Sequence, residues 1–278
     1  MSPKTILVTG CSAGGIGAAV AHALAKRKHH VFATARTVAK IPSELSGLDN
    51  VTVLALDVTS AASIAAAVKA VEESGGGLDV LFNNAGAGYA MPVLDVDIDK
   101  ARALYETNVW GPVRTIQAFA KLLIASRGRI VNLSTCGSVV NTPWISTYSS
   151  SKAALNIISE TLRLELSPFG VSVVTVMAGV VDSEFHHNDP DFQLPPGSLY
   201  LPIQATIAGW ASGELKPKGI PAAQFAESLV DDTVGAGKGG LVWRGPHSGG
   251  IKFISQWAPT FVTDAAMSYN QGLSELKK

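Results

Sequence analysis

A tyrosine and a lysine one helical turn apart are the side chains of this sequence best placed for acid–base chemistry. Tyr148 is followed four positions later by Lys152, and a helical pattern continues beyond them. Residues with this spacing lie on one face of a helix, so the hydroxyl and the ammonium can face one ligand. A cation one turn away lowers the tyrosine pKa from its ordinary value of about 10. The pair is therefore a candidate general acid–base, although the spacing also fits an exposed lysine beside a half-buried tyrosine.

A glycine-rich turn near the start of the chain predicts a nucleotide-binding site. It follows a strand-like run at residues 4–9 and precedes a helical pattern at residues 18–28. In that context glycines let the backbone approach a pyrophosphate, and the helix N-terminus offers free N–H groups and a positive dipole. The predicted phosphate-binding residues are Gly10, Ser12, Gly15, Ile16 and Gly17.

The end of the second predicted strand indicates which nucleotide binds. Residues 30–36 end with Ala35 and Arg36, where an NAD-binding site usually carries an acid for the ribose 2′-hydroxyl. Because no carboxylate repels a 2′-phosphate and a guanidinium can clamp one, we predict NADP(H) rather than NAD(H). The alternative for Arg36 is a solvated arginine at a strand end. Asp57 ends the third predicted strand, residues 51–57, and either binds the adenine amino group or forms the turn into the next helix.

Alternating strands and helices predict the fold class. Further strands are expected at residues 78–82, 128–134 and 171–177 and before Trp243, and helices at residues 60–73, 97–108, 111–126 and 148–167, with an interruption near residues 110–112. This order, without an internal repeat, predicts an α/β fold. We expect a single Rossmann-type doubly wound parallel sheet of about seven strands with helices on both faces. Ligands of such folds lie at the carboxyl ends of the strands.

Composition and charge exclude several classes of function. The 278 residues are 47% hydrophobic, with 22 basic and 22 acidic side chains. These numbers fit a single domain over residues 1–278 and argue against a nucleic-acid binder. No apolar run reaches the length of about 18 residues typical of a membrane span, and the first strand starts too early for a signal peptide. Two cysteines make no disulfide framework, so a reducing, cytoplasmic setting is predicted. The adjacent His186 and His187 diverge on any regular element, and no metal site is expected.

The sequence motifs, taken in chain order, resemble those of the short-chain dehydrogenase/reductase family over about residues 4–185. The matching residues are Thr9-Gly10, Gly15-Ile16-Gly17, Asn83-Asn84-Ala85-Gly86, Asn108-Val109, Tyr148, Lys152 and Gly179-Val180-Val181-Asp182-Ser183. The resemblance implies an oxidoreductase that interconverts CH–OH and C=O groups with a nicotinamide cofactor.

The resemblance also implies the catalytic roles. Tyr148 is expected to protonate the carbonyl oxygen in reduction, and Lys152 to lower the tyrosine pKa and bind the nicotinamide ribose. Asn108 is expected to hold a water in a proton relay that reaches Lys152, to stabilise the main chain at a helix kink, or to do both.

Other matching positions are expected to contact the cofactor. Asn83 and Gly86 would shape the floor beside the cofactor ribose, and Val181 and Ser183 would hold the nicotinamide carboxamide. The glycine turn has one residue more than the common form of the family, and Gly14 or a neighbour is the extra residue. Such a turn can bulge and still bind phosphate.

Two positions beside the expected nicotinamide site depart from the family pattern. Thr135 stands where the family usually has a serine that binds the substrate carbonyl. Threonine keeps the hydroxyl but stiffens the rotamer, so Thr135 is the preferred candidate, with Ser134 and Ser138 as alternatives. Ala178 replaces the usual proline before Gly179, which loosens that turn without removing a contact.

Residues 184–219 break the regular pattern and are expected to form a lid over a mainly hydrophobic substrate. Their aromatic residues are Phe185, Phe192, Tyr200 and Trp210. Residues 245–278 form a C-terminal extension, and the aromatic residues expected to close the other side of the site are Trp243, Phe253, Trp257 and Phe261. The alternative is that these side chains fill the core or an oligomer interface.

Residues 194–200 and Trp243-Arg244-Gly245 resemble the fungal acyl-dihydroxyacetone-phosphate reductase-like members of the family. From the family motifs and Arg36 we predict an NADPH-dependent carbonyl reductase of a lipophilic small molecule. The alternative is a non-redox isomerase, lyase or cyclase that uses NADP structurally, which the changed positions Thr135 and Ala178 would suit. The resemblance implies a homodimer or homotetramer, and peripheral contact with a lipid droplet or the endoplasmic reticulum surface stays open.

Overall fold

The protein is described by a computed structural model of residues 2–185 and 192–276. Its strands are, in chain order, β1 (Thr5–Val8), β2 (His30–Ala35), β3 (Val51–Ala55), β4 (Val80–Asn83), β5 (Arg129–Thr135), β6 (Ser172–Ala178), β7 (Val181–Asp182), β8 (Ile220–Pro221) and β9 (Gly240–Arg244). Seven of them form one parallel sheet in the order β3-β2-β1-β4-β5-β6-β9, and β7 pairs with β8 separately. This confirms the predicted doubly wound sheet of seven strands.

Helices connect the strands and cover both faces of the sheet. They are, in chain order, α1 (Ile16–Lys26), α2 (Ser43–Ser46), α3 (Ala61–Glu73), α4 (Ile98–Tyr105), α5 (Gly111–Ala125), α6 (Ser146–Leu166), α7 (Gln204–Ala211), α8 (Ala222–Val234), α9 (Ser248–Trp257) and α10 (Thr260–Ser268). The part of the chain that the structure describes contains no helix with both the length and the apolar character that crossing a bilayer requires.

Alternation along the strands builds a separate core on each face. Successive side chains of a strand point to opposite sides, and in β1 Ile6 and Val8 pack with residues of α1 and α8. Leu7 between them packs on the other face with residues of α3 and α5. The central strands are buried on both faces, which is why they appear in the sequence as nearly continuous apolar runs.

The interruption predicted between α4 and α5 is a wide helical turn rather than a break. A five-residue π-helical turn, Glu106–Trp110, joins the two helices. Gly111 and Pro112 occupy the first turn of α5, where a helix tolerates proline. Other differences are small: α6 begins two residues before its predicted start, at Ser146, and β5 ends one residue later, at Thr135.

The segment after residue 191 folds around a small apolar cluster. We call it the Trp144 cluster; its buried members are Trp144, Leu194, Ile203 and Ile207, with Phe192, Tyr200 and Trp210 packed against them. The rings of Trp144 and Tyr200 meet edge to face, with centroids 5.4 Å apart. Phe192 and Tyr200 therefore fill a core, which is one of the two roles predicted for the aromatic residues of this segment.

Close packing between the start of α1 and the loop after β4 requires glycine at position 17. A Cβ on Gly17 would lie 2.4 Å from the amide nitrogen of Asn84 and 2.5 Å from the carbonyl oxygen of Gly10. The amide of Asn84 itself donates to the carbonyl oxygens of Thr9 and Gly10, at 2.8 and 3.0 Å. The glycine turn is thus held between β1, β4 and α1.

We expect Gly17→Ala to lower the free energy of unfolding by about 1–3 kcal/mol, because an added methyl group overpacks this junction. The matched control is Gly249→Ala on α9, where no neighbouring atom lies within 4 Å of an added Cβ. The control should be neutral or should stabilise the protein by up to about 1 kcal/mol. Chemical denaturation of both variants tests the expectation, and equal stabilities would contradict it.

Candidate active site

A long cleft runs along the carboxyl edge of the sheet. It has a volume of about 1780 Å³, whereas a pocket for one small ligand needs roughly 300–1,000 Å³. Arg36 and Asp57, at the ends of β2 and β3, line it near one edge strand of the sheet. Ile254 and Met267, on the helices after the other edge strand β9, line its opposite end. The cleft therefore has room for a dinucleotide and a second ligand.

Tyr148 and Lys152 lie together in the wall of this cleft, at the start of α6. Lys152 is only 6% exposed, and its Nζ donates to the carbonyl oxygen of Leu133 at 2.9 Å. A Cβ on Gly86 would lie 3.5 Å from that Nζ, so the loop after β4 packs close to the ammonium. The ring of Tyr148 faces the ring of Phe185, with centroids 5.5 Å apart. The lysine is thus a buried charge, not the exposed side chain of the alternative interpretation.

Burial shifts the pKa of both groups. It lowers the pKa of Lys152 from 10.5 to about 8, because a buried ammonium is poorly solvated. It raises the pKa of Tyr148 above its ordinary value, and the nearby Cys136 thiol raises it further. The shift of Tyr148 is opposite to the one predicted from the spacing, since desolvation dominates here. The tyrosine consequently keeps its proton at neutral pH.

Thr135 is the last residue of β5 and lines the cleft. Its hydroxyl accepts from the N–H of Gly137 at 3.2 Å and donates to the carbonyl oxygen of Ala178 at 3.4 Å. Of the alternatives, Ser134 also lines the cleft. The hydroxyl of Ser138 donates to the carbonyl oxygen of Thr135 at 2.6 Å and accepts from Asn156 at 2.7 Å. The bonds of Ser138 lie within the loop and α6, and Ser138 does not line the cleft. Thr135 and Ser134 stay as candidates; the hydroxyl of Ser134 donates to the carbonyl oxygen of Lys152 at 3.5 Å.

Asn108 is fully buried in the π-helical turn. Its side-chain oxygen accepts from the N–H of Ala87 at 2.8 Å. Its side-chain nitrogen donates to the carbonyl oxygen of Ala87 at 2.9 Å and to the hydroxyl of Ser151 at 3.0 Å. Ser151 in turn donates to the carbonyl oxygen of Tyr148 at 2.7 Å. These contacts fit the second of the two predicted roles, because the side chain ties the loop after β4 to the helix that carries the tyrosine.

The glycine turn presents bare backbone to the cleft. Gly10 and Gly14 adopt φ angles of +75° and +70°, which other residues rarely adopt. A Cβ on Gly14 would lie 2.4 Å from the side chain of Glu184, so the extra residue of the turn makes room for the segment after β7. The predicted phosphate-binding residues that line the cleft are Gly10, Ser12, Gly15 and Ile16. Gly17 supports them from behind through the packing described above.

Arg36 and Asp57 line the cleft near the edge strand β3. Arg36 is exposed directly after β2. The carboxylate of Asp57 accepts from the N–H and the hydroxyl of Thr59, at 2.9 and 2.8 Å. The bonds from Thr59, together with the charge of Arg36, hold the pKa of Asp57 below its ordinary value. Asp57 is therefore a turn residue, which is one of its two predicted roles, and it also lines the cleft, while its binding to adenine stays a prediction.

Asn83 does not line the cleft, although we expected it beside the cofactor ribose. It ends β4 with 3% of its surface exposed, and its side-chain nitrogen donates to Asn132 at 2.8 Å inside the sheet. The next residue, Asn84, lines the cleft instead, because successive side chains of an extended segment point to opposite sides. Gly86 also lines the cleft. Asn84 was not singled out from the sequence, although it stands in the same Asn-Asn-Ala-Gly motif.

Val181 and Ser183 line the cleft on the segment that follows β6. Val181 is held in β7, opposite Ile220 of β8. An unpredicted lysine secures this segment: the Nζ of Lys216 donates to the carbonyl oxygen of Val181 at 3.4 Å and to the carboxylate of Asp182 at 2.7 Å. Lys216 also lines the cleft, and no motif pointed to it.

The far end of the cleft has a mainly apolar wall. We call it the apolar wall and define it as Val140, Ile145, Phe185, Trp210, Leu215, Ile251, Ile254 and Met267. Phe185 and Trp210 come from the predicted lid, and the last three come from the predicted C-terminal extension. Both segments therefore contribute to the site.

The C-terminal aromatic residues do not form this wall as expected. Trp243 lies in β9, and three others are exposed: Phe253 (65%), Trp257 (76%) and Phe261 (73%). In α9, Ile251 and Ile254 face the cleft, whereas Phe253 and Trp257 share another face because residues four apart lie on one side of a helix.

The residues present fit a nicotinamide dinucleotide. The turn at Gly10 and Gly15 can accept a pyrophosphate at the start of α1. Arg36 lines the same cleft and has the chemistry to bind a ribose 2′-phosphate, and Lys152 and Ser183 line it as well. Among residues 2–185 and 192–276 no group of three histidine, cysteine or acidic side chains is placed to hold a metal ion; His186 and His187 lie outside the described residues.

Three comparisons with known proteins all find short-chain dehydrogenases. A family model described as short chain dehydrogenase matches residues 4–193. The short-chain dehydrogenase ptmH of Penicillium ochrochloron is 44% identical over 275 residues, which covers 99% of this chain and 100% of the relative. The NADPH-dependent 1-acyldihydroxyacetone phosphate reductase of Schizosaccharomyces pombe is 33% identical over 261 residues, covering 92% and 85%. A solved short-chain dehydrogenase from Streptomyces avermitilis superimposes with a TM-score of 0.80 at 25% identity, covering 99% and 98%.

The buried ammonium predicts a pH-dependent difference in stability between the wild type and Lys152→Met. Its pKa is about 8 in the folded protein and 10.5 ordinarily, so between these values the unfolded state binds more protons and wild-type stability rises with pH. We expect the free energy of unfolding of the wild type, relative to that of Lys152→Met, to rise by up to roughly 3 kcal/mol between pH 8 and pH 10.5. Denaturation at intervals from pH 7 to pH 10 measures it.

The exposed Lys69 on α3 provides the control, because Lys69→Met also removes an ammonium but not a buried one. If the difference between wild type and Lys152→Met changes no more with pH than the difference for this control, the burial argument is wrong.

Proposed function

The chain belongs to the short-chain dehydrogenase family, whose members are oxidoreductases of CH–OH and C=O groups, and we propose that it is an NADPH-dependent carbonyl reductase of a lipophilic ketone. One observation carries the proposal. Tyr148, Thr135 and the buried Lys152 line one cleft, and the apolar wall belongs to the same cleft. Such a site can bind the carbonyl oxygen of an apolar molecule and deliver a proton to it.

In the proposed reaction the protein supplies the proton. NADPH, when bound, supplies the hydride that adds to the carbonyl carbon. Tyr148 gives its hydroxyl proton to the carbonyl oxygen, and its raised pKa keeps that proton available at neutral pH. The hydroxyl of Thr135 would turn its one proton from the carbonyl oxygen of Ala178, 3.4 Å away, to the same substrate oxygen and orient it. The ammonium of Lys152 stabilises the phenolate until solvent returns the proton.

Several residues in this proposal take no part in proton transfer and instead hold Tyr148 or the cofactor in place. Asn108 joins the main chain of Ala87 to Ser151, which bonds the carbonyl oxygen of Tyr148. It is therefore a positioning residue in this proposal. Val181 and Ser183, on the segment fastened by Lys216, would hold the nicotinamide carboxamide.

The preference for NADP(H) over NAD(H) rests on the nucleotide end of the cleft. Ala35 ends β2 with no carboxylate, and Arg36 follows it in the cleft. A guanidinium there would bind a 2′-phosphate, while Asp57 faces the adenine side. The reductase of S. pombe is named as NADPH-dependent, which supports the same choice.

The apolar wall supports a bulky hydrophobic substrate. The ring of Phe185 contacts the ring of Tyr148 at a tilt of 55°, and isoleucine and methionine side chains of α9 and α10 also line the cleft. We propose that residues 184–219 act as the lid of this site and that residues 245–278 form its outer wall. The relative from S. pombe is named for an acyldihydroxyacetone phosphate, so that ketone belongs in the first substrate panel.

We further propose a homodimer or homotetramer in the cytoplasm. Large apolar side chains are exposed along and near α6, at Trp110 (47%), Ile157 (72%) and Leu164 (64%), and a second copy would cover them. Both cysteines are free and buried, which suits a reducing compartment.

Tyr148→Phe should lower the rate of ketone-dependent NADPH oxidation by roughly 10²–10⁴-fold, the usual contribution of a general acid. The ring and its contact with Phe185 are kept, so NADPH binding should change by no more than about threefold. Steady-state absorbance kinetics and fluorescence titration measure the two quantities. The panel is acyldihydroxyacetone phosphate and bulky apolar ketones.

Tyr105→Phe is the matched control, because it removes a hydroxyl that bonds Ser150 on the exterior. Full turnover in Tyr148→Phe would refute the proposed proton donor. Conversion of a ketone with no NADPH consumed would instead favour the non-redox alternative.

Arg36→Ala should weaken NADPH binding by about 10- to 100-fold, the range expected for losing hydrogen bonds to a charged group. NADH binding should change little, because NADH has no 2′-phosphate. Fluorescence titration of both cofactors measures the ratio, with Arg102→Ala on the exposed face of α4 as the control. A wild type that already prefers NADH would contradict this assignment.

A further inference from the structure

A buried asparagine on α6 follows the two catalytic candidates at the same spacing. Tyr148, Lys152 and Asn156 are each four residues apart, so they lie along one side of the helix. Asn156 is 8% exposed, and its side-chain oxygen Oδ1 is buried and accepts no hydrogen bond from the residues that the structure describes. An unpaired buried acceptor costs free energy, so any benefit of this asparagine comes from the bond that its nitrogen makes.

That nitrogen starts a directed chain of hydrogen bonds that ends on Thr135. The Nδ2 of Asn156 donates to the hydroxyl of Ser138 at 2.7 Å, and this hydroxyl donates to the carbonyl oxygen of Thr135 at 2.6 Å. A serine hydroxyl has one proton, and a backbone carbonyl only accepts. The proton of Ser138 therefore goes to Thr135, and the group that faces Ser138 from α6 has to be a donor, as the amide nitrogen is.

The chain fixes the turn that holds the Thr135 hydroxyl. Residues Cys136–Val139 form a 3₁₀ turn directly after β5, and Ser138 ties this turn to α6. The N–H of Gly137, in the same turn, donates to the hydroxyl oxygen of Thr135 at 3.2 Å. This bond occupies a lone pair of the oxygen and leaves its proton able to turn toward a substrate.

A second bond from α6 holds the strand on the other side of Thr135. The Nζ of Lys152 donates to the carbonyl oxygen of Leu133 at 2.9 Å, two residues before Thr135. Both bonds start from the helix that carries Tyr148 and end on the strand that carries Thr135. The placement of one hydroxyl relative to the other therefore depends on Lys152 and on the chain from Asn156.

We propose that Asn156 is a positioning residue that holds the Thr135 hydroxyl, through Ser138, where it binds the reacting carbonyl oxygen beside Tyr148. Asn156 is not among the described residues that line the cleft, so it acts only through the loop. Its loss should slow the chemical step rather than weaken binding, because a catalytic group displaced by about 1 Å loses much of its effect. The assignment rests on the proposed reductase function, with Thr135 rather than Ser134 as the orienting hydroxyl.

Two variants interrupt the chain at successive links. Asn156→Leu removes the donor at similar volume, and Ser138→Ala removes the hydroxyl even if Asn156→Leu folds poorly. We expect each to lower the single-turnover rate of NADPH oxidation by about 5- to 50-fold, while KM for the ketone and the affinity for NADPH change less than about twofold. The ketones are 2-tetralone, 5α-androstan-3-one and acyldihydroxyacetone phosphate. Stopped-flow absorbance, steady-state kinetics and fluorescence titration measure the three quantities.

A double-mutant cycle separates positioning from a general loss of structure. Thr135→Val removes the hydroxyl and should lower the single-turnover rate by about 10- to 100-fold, the effect of losing a hydrogen bond to a developing charge. In that background Asn156→Leu should cost less than about twofold more, because no hydroxyl is left to position.

Asn50→Leu is the matched control. Asn50 precedes β3 at the amino edge of the sheet, and its side-chain nitrogen donates to the carbonyl oxygens of Ala25 and His29 at 2.8 and 2.6 Å. This variant also loses an amide that bonds the main chain, so it should unfold at a lower temperature than wild type. Its single-turnover rate should stay within about twofold of wild type.

The outcomes distinguish this inference from the function on which it rests. If Asn156→Leu and Ser138→Ala keep the full rate, or if Asn156→Leu slows the Thr135→Val enzyme as much as it slows wild type, the positioning role is wrong while the reductase function stands. A full rate in Thr135→Val alone would overturn it as well. If no ketone is reduced with NADPH, the proposed function fails and this inference fails with it.

Discussion

The parallel direction of all seven strands is the constraint on which this site depends. A parallel sheet brings every strand end of one kind to the same edge, so side chains far apart in the chain meet there. Arg36 after β2, Asn84 after β4 and Thr135 in β5 all line one cleft for this reason. Side-chain hydrogen bonds, rather than additional hydrophobic packing, hold the loops at this edge of the sheet. The amide of Asn84 bonds the glycine turn, and the amide of Asn108 joins the loop after β4 to α6.

Spacing and strand order were enough to predict the architecture and the residues whose positions depend on the backbone. The pair Tyr148 and Lys152 follows from a four-residue helical repeat, and Arg36 and Asp57 follow from where strands end. These positions depend on local periodicity and on the rule that ligands lie at carboxyl ends of strands. Neither needs knowledge of which distant segments pack together.

What the sequence could not supply depends on side-chain direction and on long-range packing. Asn83 and Asn84 are equivalent in the motif, and only the pleat of β4 decides which amide enters the cleft. The pKa of Tyr148 was predicted from one neighbouring charge, whereas burial by the whole cleft decides its direction. Lys216 carries no local signal, because its place in the cleft depends on its bond to Val181, 35 positions earlier in the chain. The exposed face of Trp257 was likewise set by how α9 docks.

The π-helical turn between α4 and α5 has a consequence for how this chain can change length. A π-helical turn holds about one residue more than an α-helical turn. Deleting one residue from Glu106–Trp110 would therefore let an α-helical turn form, and α5 could keep the almost completely buried Phe119 and Leu123 against the sheet. Asn108 would lose its place beside Ala87, because its amide leaves the helix within the wide turn. The extra residue of this turn thus serves the polar contacts of the loop after β4 and not the packing of α5.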